Sequence, residues 1–303
     1  MTGPPGDRLR PGDLIVVRYL GHATVLLELP GLRILTDPFL RDRLGPLRRH
    51  GARPDPAAIG PVDVVLISHA HPDHFDRGSI AMLAGDPLLI VPSGLVSYVE
   101  RLGRRTVGIA VGDTIGIGGG RSVSAVPARH WRWPGAPRAG TLGFLIEAAA
   151  ETLTDPVGSQ GRSVSPPGIY FAGDTARYAG MADFAGRVDL ALLPVGSWGP
   201  HRSPGHLAPR SAARVAHDLR ASIAIPIHWG TLYPPGLERL VGRRLTEPGA
   251  EFADWTARLG RGVDVRVLRP GEATTIDSRP NLARPPDPDT EMARWKPPGR
   301  ARR

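Results

Sequence analysis

The chain alternates short apolar runs with turns, and most of the runs are too short to be helices. Residues 14–20 and 24–29 are rich in Val, Leu and Ile and flank Gly21-His22; residues 32–36 follow Pro30-Gly31 and end at Asp37-Pro38. Runs of this length bounded by Gly and Pro predict strands, and three in succession predict an antiparallel meander. The run 64–67 is unbroken and mostly β-branched, which predicts an interior strand. Further strands are predicted at 88–92, 114–117, 122–127, 141–148, 168–172, 188–194, 222–227 and 263–268, the last closing the folded part. Helices are predicted at 76–84, at 93–102 with Ser93 as N-cap, and at 209–219, an amphipathic segment.

Strands lead, and helices then alternate with strands, twice over. That order predicts an α/β fold, an αββα sandwich of two mixed β-sheets with helices on the outer faces. Residues 12–277 read as one domain, between a disordered tail at 1–11 and a Pro/Arg-rich disordered tail at 278–303. Residues 39–60 read as a long loop. Its Arg41, Arg43, Arg48, Arg49 and Arg53 are either solvated or form a basic flap over an anionic substrate. The polar stretch 150–167 reads as a surface loop.

The strand at 64–67 stops abruptly at Ser68-His69-Ala70-His71-Pro72-Asp73-His74. Pro72 removes an amide donor and sets a turn, so the polar groups sit just past a buried strand end. Imidazole and carboxylate at this spacing suit zinc, and also iron or manganese. Four such groups leave no open position on a single catalytic ion, so the spacing suggests two ions sharing a site. The pattern recurs. His130 follows 123–127, Asp174 follows 169–172 and His228 follows 223–227, with gaps of 56, 44 and 54 residues after His74 that only folding can close.

The set His69, His71, Asp73, His74, His130, Asp174 and His228 resembles the signature of the metallo-β-lactamase-fold hydrolases. Leu20-Gly21-His22-Ala23-Thr24, Leu35-Thr36-Asp37-Pro38, Phe171-Ala172-Gly173-Asp174-Thr175 and Gly205-His206 narrow the resemblance to one branch. That branch holds the N-acyl-phosphatidylethanolamine phospholipase D-like and ascorbate-6-phosphate lactonase-like members, and Pro127-Ala128-Arg129-His130-Trp131 points to the phospholipase D side. The resemblance implies that His69, His71 and His130 hold one divalent ion, that Asp73, His74 and His228 hold the other, and that Asp174 bridges them. Zn2+ is implied first, with Mn2+ or Fe2+ as alternatives. A hydroxide shared by the ions would attack a phosphodiester or a lactone. Asp73 and His206 are the candidate catalytic groups, His206 as proton donor or phosphate contact. His22 is either a support for a ligand or a core histidine, and Asp37 either a partner for a ligand imidazole or a turn residue. Trp131, Trp198 and Trp229 flank ligand-bearing turns and either line an apolar pocket or pack. His50, His201 and His217 read as surface residues. A nuclease and a metal-binding protein without hydrolytic activity are the competing classes.

Composition changes this picture only at the edges. Hydrophobic content of 41% and charged content of 22% describe a globular chain, and 303 residues suffice for one large domain. There is no cysteine, so thiolate ligands and disulfides are excluded. The net charge is +9, of which residues 279–303, with seven Arg or Lys against Asp287, Asp289 and Glu291, supply +4. No basic helix with interleaved aromatics accompanies it, so no nucleic-acid partner is expected. No run approaches the roughly 18 residues of a membrane span, and no secretory signal is seen, which makes the cytoplasm the expected compartment. The expected partner is a small or lipid-like anionic substrate, with a homo-oligomer allowed.

Overall fold

A computed structural model describes residues 14–131, 137, 139–149, 166–196, 205–260 and 262–277. The tails at 1–11 and 278–303, most of 150–167, Trp198 and His201 lie outside the described residues. In chain order, β1 (Leu14–Gly21), β2 (Thr24–Leu29) and β3 (Leu32–Thr36) form the expected meander. There follow β4 (Arg43–Leu44), β5 (Leu47–Arg49), α1 (Pro56–Ile59), β6 (Val64–Leu66), α2 (Arg77–Met82), β7 (Leu88–Pro92), α3 (Val96–Glu100) and β8 (Thr106–Ile109). The second half holds β9 (Thr114–Gly118), β10 (Arg121–Pro127), β11 (Leu142–Ala148), β12 (Ile169–Phe171), β13 (Leu190–Pro194), α4 (Pro209–Asp218) and β14 (Ile223–Ile227). It ends with β15 (Leu232–Tyr233), α5 (Glu238–Thr246), α6 (Pro248–Arg258), β16 (Asp264–Val265) and β17 (Ala273–Asp277).

Among the described residues these strands make two seven-stranded mixed sheets, ordered β17-β1-β2-β3-β6-β7-β8 and β16-β14-β13-β12-β11-β10-β9, and a small three-stranded sheet, β15-β5-β4. The period of two along each strand explains how both faces are filled. Val64 and Leu66 of β6 join Val25, Leu27 and Ile90 in the core shared with the second sheet. Val65 and Ile67, one residue out of phase, pack with Leu26, Leu89 and Val91 against Ile80 of α2 and Val99 of α3. An unbroken apolar run is what a strand covered on both sides requires. Each such side chain contributes about 1.5–3 kcal/mol by leaving water. On the far side, Ala212, Ala213 and Val215 of α4 and Phe252 of α6 join the core that reaches the second sheet. The αββα sandwich is therefore the architecture.

Several local expectations need correction. Residues 39–60 are not one loop: β4 and β5 form a hairpin, β5 pairs with β15, and α1 follows. Strands of two or three residues are too short to show a periodicity. Arg49 is buried and is neither solvated nor part of a flap. Its guanidinium donates to the carbonyls of Arg41 (3.1 Å), Leu20 (3.3 Å) and Phe39. Burial pushes it down to about 10. Residues 93–102 divide into a 3-10 turn, Ser93–Leu95, and α3, and Ser93 caps neither with its side chain. The folded part closes not at 263–268 but at β17, which pairs with β1. His217 is not a surface residue. It is buried, its Nε2 donating to the Thr256 carbonyl of α6 at 3.3 Å. Of the two readings of Trp229, packing is the one that holds: it lies in the core against Tyr19, with its Nε1 donating to the Pro226 carbonyl.

Candidate metal centre

Sheet topology brings the ligand-type residues to one rim. β3 and β6 are parallel with Thr36 opposite Leu66, so Asp37 and the Ser68–His74 turn emerge side by side. In the second sheet β12, β13 and β14 are parallel, and β10 runs the same way because the antiparallel β11 separates it from β12. Asp174, Gly196, His228 and His130 therefore leave at a common end. The amide of Leu142 donates to the Ser68 carbonyl at 3.0 Å, joining the two sheets there. The turn itself is tight: the amides of His74 and Phe75 both donate to the His71 carbonyl, at 2.9 and 2.8 Å.

Two sets of donor atoms result. The ligand-type nitrogens of His69, His71 and His130 lie within 4.8 Å of one another. His130 Nε2 is 3.1 Å from His71 Nδ1. In the second set, His74 Nε2 is 3.2 Å from His228 Nε2, and Asp73 Oδ2 is 3.7 and 3.8 Å from those two atoms. Asp174 stands between the sets. Its Oδ1 is 3.3 Å from His228 Nε2, and its Oδ2 is 3.3 Å from His74 Nε2 and 3.9 Å from His130 Nε2.

Outer hydrogen bonds fix which nitrogen faces inward. His130 Nδ1–H donates to the Gly205 carbonyl at 2.9 Å, and His228 Nδ1–H to the Gly196 carbonyl at 3.0 Å. Each leaves an Nε2 lone pair directed into the site. Both carbonyls belong to glycines for a steric reason. A Cβ on Gly196 would come within 2.7 Å of the His228 carbonyl, and one on Gly205, at φ +88°, within 3.2 Å of the His130 ring. Ser68 had no assigned role from sequence, yet it completes a relay. Its hydroxyl donates to Asp37 Oδ2 at 2.5 Å, so its oxygen accepts from His69 Nδ1 at 2.9 Å and frees His69 Nε2. No sequence signal marked Ser68 beyond its place between the strand and the first histidine.

Asp37 also accepts from His74 Nδ1 at 2.6 Å and so serves both sets at once. His22 lies with its Nε2 2.8 Å from Asp73 Oδ2. His206 Nε2 is 3.1 Å from Asp174 Oδ2. Trp131 is partly exposed, its ring edge-on to His71 with centroids 5.9 Å apart. His50 is exposed, its ring edge-on to Tyr233.

Charge is arranged to suit cations. Burial pushes His69, His130 and His228 below the usual imidazole range, and His71 down to about 4, which keeps them neutral. Burial would raise the carboxyls of Asp73 and Asp174, but His74, His22 and His228 beside Asp73, and His228, His74 and the hydrogen bond from His206 at Asp174, outweigh it and hold both well below the carboxylate range. For His74, burial is outweighed by the carboxylates of Asp174, Asp73 and Asp37, which hold it well above 6.5. His69 Nε2 and Asp174 Oδ1 are buried with no hydrogen-bond partner. Orphaned acceptors of this kind, beside neutral imidazoles and ionised carboxylates, are the donor set of a divalent cation. The residues fit a metal.

Comparison with known proteins agrees. The model of the beta-lactamase superfamily domain matches residues 32–229. The chain belongs to that superfamily. A metal-dependent hydrolase of the UPF0173 group from Deinococcus radiodurans is 34% identical over 272 residues, covering 87% of this chain and all of that one. The mitochondrial N-acyl-phosphatidylethanolamine-hydrolyzing phospholipase D of Saccharomyces cerevisiae is 29% identical over 263 residues, covering 79% of this chain and 53% of the yeast protein. Among solved structures, Igni18, a metallo hydrolase from Ignicoccus hospitalis, superposes with a TM-score of 0.63 at 20% identity, covering 87% of this chain and 98% of that one. This superfamily member is a metal-dependent hydrolase with a His/Asp cluster for metal binding. No helix among its described residues is long and apolar enough to cross a membrane.

Proposed function

We propose that this chain is a dinuclear phosphodiesterase acting on a small or lipid-like anionic substrate of the phospholipase D type. His69, His71 and His130 would hold one ion, Asp73, His74 and His228 the other, and Asp174 would contact both. Five imidazoles and two carboxylates are a borderline donor set that suits Zn2+ ahead of Mn2+ or Fe2+. Bound ions of this kind supply Lewis acidity toward an ester oxygen and make water a nucleophile near neutral pH. The observation that carries the reading is the position of Asp174. Its Oδ1 lies 3.3 Å from His228 Nε2, and its Oδ2 lies 3.3 Å from His74 Nε2 and 3.9 Å from His130 Nε2, so one carboxylate faces both sets and would balance two dications.

The chain's own residues then divide the work. Asp37 and Ser68 set the tautomers of His74 and His69. Asp73 stays ionised and orients the second set. His206 holds a proton at Nε2, shared with Asp174 Oδ2, at the rim where a phosphoryl oxygen or a leaving alkoxide would approach. Trp131, partly exposed beside His71, offers an apolar surface to the organic part of such a substrate. The yeast relative supports the phosphodiester over other esters.

The test is metal content of the purified protein with hydrolysis of bis(p-nitrophenyl) phosphate and of a panel of simple lactones. Two ions per chain, with phosphodiester turnover lost in Asp174→Ala, is the expected result. Turnover of lactones alone would replace the phosphodiester reading with that of a lactonase. Fewer than one ion per chain after metal supplementation, with no turnover on either class, would overturn the hydrolase mechanism and leave a metal-binding protein.

A further inference from the structure

His22 and His228 are both non-glycine residues in the left-handed region, at φ 57° and 61°. A β-turn residue held there costs on the order of 1 kcal/mol and persists only when its surroundings fix it. Here the two residues fix each other. The His228 amide donates to the His22 carbonyl at 2.7 Å, and the His22 amide donates to Thr231 Oγ1 at 2.6 Å. Their rings are tilted by 41°, with centroids 3.9 Å apart. The turn that carries His22 is braced further by Arg49, which donates to the Leu20 carbonyl, and by Tyr19, whose hydroxyl donates to the Trp229 carbonyl at 2.7 Å.

This braced imidazole hydrogen-bonds to Asp73. His22 Nε2 is 2.8 Å from Asp73 Oδ2, the same oxygen that faces His74 and His228. An ionised carboxylate only accepts, so Nε2 carries the hydrogen and His22 donates. A nitrogen so occupied has no lone pair to offer a cation. His22 is therefore not a further ligand in this arrangement, although it lies within the same cluster of donor atoms.

We propose that His22 is a positioning residue for one half of the centre. It pins Asp73 Oδ2 and the His228 ring together, and so sets ion affinity at the Asp73/His74/His228 site while leaving the His69/His71/His130 site unaffected. The inference rests on the dinuclear reading above. It adds that the two sites are separable by a change at a residue whose side-chain hydrogen bond and ring contacts fall on Asp73, His74 and His228.

Two substitutions distinguish this from a purely conformational role. Asn is well tolerated at positive φ but is too short to reach Asp73, whereas Gln places an amide N–H near the position of Nε2 but gains nothing at positive φ. Metal-free protein is titrated with Co2+, with site occupancy followed by its visible absorption and by metal analysis. In His22→Asn, binding of the second equivalent is expected to weaken about 10- to 100-fold, as for loss of an outer-shell partner, with the first equivalent unchanged. In His22→Gln it is expected to return to within a few-fold of wild type. The inference is overturned if Asn binds both equivalents as wild type does, if Gln is the weaker variant, or if both equivalents weaken together. A wild-type protein that binds only one equivalent would instead overturn the dinuclear reading.

Discussion

Asp37 Oδ2 lies 2.6 Å from His74 Nδ1, and both residues are fully buried. The same carboxylate takes the Ser68 hydroxyl and the Ser68 amide, the latter on Oδ1 at 2.7 Å. One side chain therefore sets the inward-facing nitrogen of a histidine in each half of the centre. Asp37→Asn keeps the shape but offers an amide N–H where a carboxylate oxygen had accepted. Metal affinity is expected to fall about 10- to 100-fold at both sites, read by competition with a chromophoric chelator. Wild-type affinity in this variant would show that the ligand tautomers are set elsewhere.

Metal binding is expected to strengthen as pH rises. His74 is held above its usual range, so a proton competes with an ion for its Nε2, whereas His69, His71, His130 and His228 are already held neutral. Raising the pH removes the competitor and lowering it restores it, so affinity at the His74 site falls as pH drops below the raised value. Titration calorimetry in buffers of different ionisation enthalpy should show net proton release on loading that site. Proton uptake would contradict the sign.

Chelation should also lower stability. An ion that binds only the folded chain stabilises it by about 4 kcal/mol at a free concentration about 1,000-fold above Kd. For a domain of this size that corresponds to a Tm lower by roughly 10 °C in excess chelator. Zn2+ should restore both Tm and phosphodiester turnover.

His206 donates to Asp174 from outside the two ligand sets. His206→Ala is expected to lower kcat on bis(p-nitrophenyl) phosphate by about 10²–10⁴, the range of a lost general acid. Metal content should stay unchanged. Loss of metal in this variant would assign His206 to holding the ions instead.

Arg49 is buried and spends its guanidinium on the carbonyls of Arg41, Leu20 and Phe39. Arg49→Met would strand those carbonyls, each at about 1–3 kcal/mol, so unfolding free energy should fall by at least about 3 kcal/mol. Denaturant midpoints measure it. A change below about 0.5 kcal/mol, the size expected at an ordinary surface position, would mean that water replaces the guanidinium.

The sequence by itself determined the strands with long apolar runs, and with them the sandwich. A strand such as β6, filled on both faces, has to be continuously apolar, and that pattern is readable without coordinates. It also marked His69, His71, Asp73 and His74, because a run of metal-type groups just past a buried strand is chemically conspicuous. Other features were decided only by tertiary structure. The hairpin of β4 and β5 exists because β15 pairs with it, and β17 because β1 does, neither of which leaves a local signature in a few residues. The burial of Arg49 and His217 depends on the carbonyls that fold beside them. Ser68 and the glycines at 196 and 205 matter through distances to histidines, to which local patterning is blind. Sequence periodicity reports which side of an element is apolar; the hydrogen bond that turns an imidazole toward a cation is a contact between strand ends, and only the packed sheets bring those ends together.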